Sequence, residues 1–265
     1  MKLSFPEKSK LTVHACEGMK FYRDKAKEAF GLGDYRDASP ALFLGIYFKE
    51  DLLALTSHLH ERKYVFWNGS DVSRTLAHPE WHEPIRKVLA KHACHNAQLA
   101  AELATIGINA EVSPILFAPP YMYSETTYVH HVRPRVFMTV HPGREEEYGL
   151  SQAVDIFRYL HADLYVYGNA GGSSRLGNIH LRGWIDEDLW RYETAKMQAA
   201  LRLNKHDGTS QIVIKAILRG QYAIVTPSSW EAYKGLQSLS DEAMPNVDKV
   251  PGLNAWITKV LEEEQ

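Results

Sequence analysis

The sequence predicts an α/β fold in which parallel strands alternate with helices, divided between two small domains. Three observations carry this expectation. Short apolar runs recur along the chain, each followed by a polar turn and a segment of helical periodicity. The run Lys205–Thr226 (KHDGTSQIVIKAILRGQYAIVT) shows the repeating unit most fully. Finally, Phe117–Val132 breaks the alternation with Pro119, Pro120 and the polar SETT segment. That stretch reads as a linker, so the domains span residues 1–125 and 126–265.

In Lys205–Thr226, His206-Asp207-Gly208 forms a polar turn, and Thr209 or Ser210 is placed to cap a helix. Ile212, Val213, Ala216 and Ile217 recur at helical spacing and give one apolar stripe for a sheet. Gly220 can supply a left-handed C′ residue, and Tyr222–Val225 reads as a buried strand. The unbonded N–H groups at such a helix start attract anions, phosphate above all.

From the N-terminus, Leu11–Ala15 is a short strand and Lys20–Phe30 a helix. Gly31–Pro40 is loop by composition; its glycines follow a helix, which argues against a phosphate loop. Ala41–Tyr47 is a buried strand, Glu50–His60 a helix, and Tyr64–Trp67 the next strand. That strand runs into Asn68-Gly69-Ser70-Asp71. Polar residues at the C-terminal end of a parallel strand sit where open α/β sheets bind ligands. The same four residues also read as a capped turn. Glu83–Lys91 is helical and His92–His95 a short strand or bend. Asn96–Ile106 is a helix stopped by Gly107, and Ala110–Ile115 a strand. His92 and His95 could pair as metal ligands, but no acidic partner follows at a suitable spacing, so both read as core or solvated histidines.

Beyond the linker, Arg135–Val140 is a strand followed by His141-Pro142-Gly143-Arg144 and then Glu145–Glu147. Arg144 can fork two phosphate oxygens, or it can pair with the neighbouring glutamates. Ser151–Leu160 is a helix, and Asp163–Tyr167 a strand ending in Gly168-Asn169, with a flexible turn at Gly171-Gly172. Asn178–Gly183 is a strand, and Trp184-Ile185-Asp186 leads into the helix Glu187–Ala195. Gln198–Leu203 is a strand feeding Lys205–Thr226, after which a polar helix around Trp230–Leu236 and a final helix, Asn254–Glu263, complete the chain. The final helix can pack back on the first domain.

Composition sets the class. Apolar residues make up 45% and charged residues 23% of 265, ordinary for a globular protein. A formal net charge of −2 argues against a generally basic nucleic-acid binder and leaves a local patch open, with Arg86–His95 and His130–Arg135 the two basic stretches. Cys16 and Cys94 suggest neither a disulfide framework nor a zinc site. No apolar run approaches a membrane span, and MKLSFPEKSK lacks the features of a secretory signal, so a cytoplasmic location is expected.

The stretch from Asp207 to Val225 resembles the nucleotide-sugar signature of retaining glycosyltransferases with the GT-B fold. In that signature an acid, seven intervening residues and a Glu precede Ala, a small residue, Gly and a hydrophobic strand. Asp207 matches the first acid, Ala216 and Gly220 fall in step, and Ile224–Val225 follow. The second acid position, which in the family holds the nucleotide ribose, is Lys215. Trp67-Asn68-Gly69-Ser70-Asp71 is similar to a family segment bordering the cleft between domains, and NIHLRGWIDED, with Trp184, to the segment that packs the nucleotide base.

The resemblance implies two Rossmann-like domains facing across a cleft, the first on the acceptor side and the second holding a nucleoside diphosphate sugar, UDP-sugar foremost. Asp207 and Asp71 would be the catalytic acids. Arg144, Lys205, Gly208, Thr209, Ser210, Lys215, Gly168 and Trp184 would bind the donor, while Asn68, Gly69 and Ser70 would face the acceptor. Retention of anomeric configuration is implied, with no metal or other cofactor. The acceptor is a glycan or a modified base in viral DNA. Lys215 at the acid's position also leaves open a non-catalytic nucleotide-sugar-binding subunit, and a phosphorylase or epimerase on the same architecture is a third reading. At Lys215 itself, binding through a phosphate or ribose oxygen and a solvated lysine on an exposed helix face both remain open.

Overall fold

The computed structural model describes residues 10–118, 120–123, 131–169, 171–172, 176–204, 206–226 and 252–264. These divide into two compact units. The first takes the described residues up to 118 together with 207–209 and 252–264, and the second those from 120 to 206 and from 210 to 226. Each is an α/β layer built on a parallel sheet.

The first unit runs β1 (Thr12–His14), a 3-10 turn at Glu17–Met19, α1 (Lys20–Phe30), β2 (Gly33–Asp34), β3 (Ala41–Leu44), α2 (Lys49–Ser57) and β4 (Lys63–Trp67). It continues with α3 (Ser70–Ala77), α4 (Pro79–Lys87), β5 (Ala90–Cys94), α5 (Ala97–Thr105) and β6 (Ala110–Val112). The strands lie in the order β2-β1-β3-β4-β5-β6, all parallel. Both faces are buried, as parallel sheets require. Leu42, Leu44 and Phe66 fill one apolar cluster, while Ala41, Phe43, Val65 and Trp67 fill the other. The closing helix Ala255–Glu263 completes the first cluster with Trp256, Ile257, Val260 and Leu261. Its end is tied down where Glu264, buried, accepts from the Tyr64 hydroxyl at 2.5 Å and from Arg62 at 3.2 Å.

Two local expectations change here. Gly31–Pro40 is not loop throughout, because Gly33–Asp34 adds an edge strand beside Thr12–Val13. The helix expected over Glu83–Lys91 begins at Pro79, a residue suited to a first helical turn, and stops at Lys87. Val88 turns to extended backbone and Lys91 pairs with Tyr64, so sheet pairing overrides the local periodicity.

The second unit comprises a 3-10 turn at Pro120–Tyr123, β7 (Arg135–Thr139), α6 (Leu150–Phe157), β8 (Asp163–Tyr167), β9 (Ile179–Gly183), α7 (Glu187–Thr194), β10 (Ala199–Arg202), α8 (Gln211–Leu218) and β11 (Tyr222–Val225). Its strand order is β11-β10-β7-β8-β9, again all parallel. Val136, Met138, Leu164 and Val166 pack with α6 on one face, whereas Phe137 meets Trp190 of α7 on the other, ring centroids 5.9 Å apart. Tyr222–Val225, expected to be buried, is a half-open strand: β11 ends the sheet order and leaves Tyr222 and Ile224 exposed. The helix expected around Trp230–Leu236 lies outside the described residues.

Counted within each unit, the strand orders are 2-1-3-4-5-6 and 3-2-1-4-5. Both are Rossmann-like, doubly wound orders, in which successive connections leave in opposite directions from one central strand. The molecule is thus α/β with two parallel sheets. Among the described residues no helix is long and apolar enough to cross a membrane.

Candidate functional site

Doubly wound sheets bind ligands at the carboxyl ends of the strands where the strand order reverses. In the first unit that point lies between β1 and β3, and in the second between β7 and β10.

At the first unit's edge two buried carboxylates close the strand ends. Asp51 sits in the opening turn of α2 and accepts from the backbone N–H groups of Tyr47 and Phe48, each at 3.0 Å. Its other oxygen meets His14 Nε2 at 3.0 Å. Asp71, expected as a catalytic acid, is fully buried beneath its own turn. It accepts from the N–H groups of Asn68 (3.0 Å), Gly69 (2.7 Å) and Val72 (3.0 Å). Burial pushes its carboxyl up to about 6, opposed by those backbone bonds. The geometry gives Asp71 the work of shaping the Asn68–Ser70 turn. Ser70 is exposed and Asn68 half-buried.

Asp207, Gly208 and Thr209 belong to this same unit. The Asp207 carbonyl accepts from Asn96 Nδ2 at 3.3 Å, and Thr209, buried, donates its hydroxyl to the His95 carbonyl at 3.1 Å. Gly208 and Gly69 lie backbone to backbone. A Cβ on Gly208 would stand 1.8 Å from the Asn68 carbonyl oxygen, and one on Gly69 2.5 Å from the Gly208 nitrogen. Only glycine permits this approach. Gly208 thus packs directly on Asn68, and Thr209 spends its hydroxyl on His95 rather than on a helix cap. Ser210 is the N-cap residue of α8.

His92 and His95 are core histidines. Trp67 Nε1 donates to His92 Nδ1 at 3.3 Å, and the Ile115 N–H donates to His95 Nδ1 at 3.4 Å. Burial pulls them down to about 4 and about 3 respectively. Among the described residues no group of three or more potential ligands could hold a metal.

The second unit's edge carries two arginines, Arg144 exposed and Arg202 half-buried. Arg144 follows β7 and Arg202 ends β10, and the two guanidinium groups lie 6.0 and 4.6 Å from the ring of Tyr148. Arg144 takes the second of its two sequence readings, donating from Nε to Glu147 at 2.9 Å on the exposed surface. Gly149 abuts Leu203, bringing the β7 loop against the end of β10. Gly168 has φ +75° and lies so close to Val140 that a Cβ would stand 2.4 Å from its carbonyl oxygen. Its N–H donates to the Gly183 carbonyl at 2.8 Å, and the Gly183 N–H donates to Asn169 Oδ1 at 2.9 Å. Trp184 follows Gly183 and is 70% exposed. Lys205 lies outside the described residues.

Lys215 is not a solvated lysine on an exposed helix face, its side chain being 13% exposed. Its ammonium donates to Glu187 Oε1 at 3.1 Å and lies 5.0 Å from the Tyr123 ring and 4.9 Å from that of Trp190. Tyr123 donates to the same Glu187 oxygen at 3.0 Å. One turn on, Arg219 is buried, bonded to Thr194 Oγ1 at 2.8 Å and to the Arg191 carbonyl at 3.1 Å; desolvation pulls it down to about 10.

Sequence reasoning missed Asp51, Arg202, Tyr148 and Glu187. Arg202 was the findable one, a cation on the last residue of a strand leading into a polar turn. Glu187 was not, because its partners lie 28 and 64 residues away. The chain matches no protein-family model, and no curated protein is significantly similar to it.

Proposed function

We propose that the chain is a glycosyltransferase of the GT-B fold. It would transfer a sugar from a nucleoside diphosphate sugar, a UDP-sugar foremost, to a glycan or DNA-base acceptor, with retention and without a metal. The observation that carries this reading is the second unit's 3-2-1-4-5 parallel sheet, whose order reverses between β7 and β10, where Arg144 and Arg202 flank Tyr148. A departing diphosphate needs fixed positive charge, and forked guanidinium groups at a water-exposed strand edge supply it. Arg144 can exchange Glu147 for a phosphate at small cost, since exposed ion pairs contribute about 0–1 kcal/mol. Trp184 offers a face to the nucleotide base. Asp207 would receive sugar hydroxyls, and the Asn68–Ser70 turn, held by Asp71, would meet the acceptor.

Two observations favour the non-catalytic nucleotide-sugar-binding alternative. Of the two acids expected to act, Asp71 is fully buried, and the family's second acid is replaced by a lysine already bonded to Glu187.

A thermal-shift titration with UDP, UDP-glucose and uridine tests the donor. UDP and the UDP-sugar should stabilise the protein and uridine should do so much less. Arg144→Ala should weaken UDP binding about tenfold, the loss of one charge-assisted contact, with an unchanged melting temperature without ligand. Equal UDP affinity in the variant removes Arg144 from the site. Binding without turnover selects the subunit reading.

A further inference from the structure

The basic stretch His130–Arg135 has no part in the donor site, and its described arginines lead to a second surface on the second unit. Arg135 on β7, Tyr165 on β8 and His180 on β9 form a row across the sheet. The Arg135 guanidinium lies 5.8 Å from the Tyr165 ring centroid, and the rings of Tyr165 and His180 stack at 4.5 Å with a 26° interplanar angle. Their neighbours Leu164, Val166 and Ile179 point into the core on the opposite face, so the row lies on the face away from α6. The row is half-exposed, and β9 ends the strand order, so no described strand covers the far side of the His180 ring.

Charge on this face is asymmetric in exposure. Arg133 pairs with Asp163 at 3.4 Å, and Arg182 bonds Glu193, which also accepts from Tyr167 at 2.8 Å. In these pairs the acids are the covered members. Asp163 and Glu193 side chains are 17% and 20% exposed, against 37% for Arg133 and 39% for Arg182. With Arg135 added, three guanidinium groups stand here against two largely covered carboxylates, Asp163 also lying 4.0 Å from His180 Nε2, although the protein's net charge is −2.

We propose that this face binds single-stranded nucleic acid. A guanidinium–ring–ring stack ending on an open ring can be extended by a planar group, and flanking arginines demand that the planar group be strung on an anionic backbone. An unpaired strand satisfies both; a duplex keeps its bases stacked on one another. The surface needs no donor, so it stands or falls apart from the transfer reading. If both hold, the acceptor is a nucleic-acid base rather than a glycan.

Fluorescence anisotropy of the full chain with a labelled oligothymidylate of about 20 nucleotides tests it, beside a duplex of equal length and competing heparin. The strand should bind at least about tenfold more tightly than the duplex, and more weakly as salt rises. His180→Ala should cost about tenfold for the strand and little for the duplex. Arg135→Gln, a change at a half-exposed side chain, should weaken strand binding severalfold and serves as the reading should His180→Ala melt early. Absence of strand binding, equal binding of strand and duplex, or binding indifferent to Arg135→Gln and to a folded His180→Ala would each overturn the assignment.

Discussion

The two sheets share a doubly wound plan yet treat their carboxyl edges in opposite ways. In the first, Asp71 and one oxygen of Asp51 accept from backbone amides at the starts of α3 and α2, the other Asp51 oxygen meets His14, and Gly208 presses against Asn68. The edge is filled by the protein's own anions and backbone. In the second, the corresponding edge carries Arg144 and Arg202; Gly149 and Gly168 pack closely there, while among the described residues nothing lies within reach of a Cβ added at 143, 171 or 172. Helix starts and strand ends call for negative charge in both units. The first supplies it with buried Asp51 and Asp71, whereas in the second Arg144 meets Glu147 on the exposed surface.

The contrast breaks most readily at glycine. Gly208→Ala drives a methyl into the backbone carbonyl of Asn68, with the His95 ring also 3.1 Å from it, and should cost about 4 kcal/mol in urea unfolding. Gly171→Ala meets open space and carries only the strain of φ +84°, about 1 kcal/mol. Equal losses would mean that the first edge is no more tightly packed than the second.

Acid should find the first unit. His95 is held neutral by burial, its pKa down to about 3, so the unfolded chain takes a proton near pH 6.5 that the folded chain refuses. Stability from His95 is full above pH 6.5 and drains as pH falls toward 3. Asp71 opposes this: with its pKa raised to about 6, the folded state binds a proton earlier than the unfolded one and gains stability as pH falls from 6 toward 4. The histidine shift is the larger, so urea midpoints should fall between pH 7 and pH 4 by the equivalent of roughly 3 kcal/mol or less. His95→Gln should flatten that fall and Asp71→Asn steepen it. Among the described residues of the second unit the shifted groups are tyrosines, arginines and the exposed Glu147, so variants there should leave the acid limb unchanged.

Much of this architecture was legible in the sequence, and for a physical reason. A strand buried on both faces reads as a continuous apolar run, so Ala41–Leu44 declares itself; Asp163–Tyr167 and Tyr222–Val225 read the same way although each keeps one more open face, and the helix Lys20–Phe30 shows in its periodicity. What periodicity cannot carry is neighbourhood. Nothing local says that Gly33–Asp34 pairs beside Thr12–Val13, that β11 ends its sheet with Tyr222 exposed, or that Gly208 lies on Asn68, 140 residues away. The candidate site divides along the same line. Arg144 and Trp184 were visible as exposed types after predicted strands. The functions of Asp71, Thr209 and Lys215 depended on which backbone amide, carbonyl or carboxylate the fold would bring to each.

Lys215 gives the finest test, because the second unit there does what the first does at its edge and satisfies a charge internally. Glu187 accepts from both Lys215 and Tyr123, and the ammonium lies within about 5 Å of two aromatic rings. The side chains of Lys215 and Glu187 are 13% and 24% exposed, so water screens the pair only partly. Lys215→Met should cost about 2 kcal/mol, since it strands a half-covered carboxylate as well as removing the ion pair. Glu187→Gln should cost less, and the double variant should recover part of the loss, a coupling of about 1 kcal/mol. UDP affinity should be the same in all four proteins. If the coupling is near zero while Lys215→Met weakens UDP more than uridine, with the gap narrowing as salt rises, the lysine is a nucleotide ligand and its bond to Glu187 only a resting position.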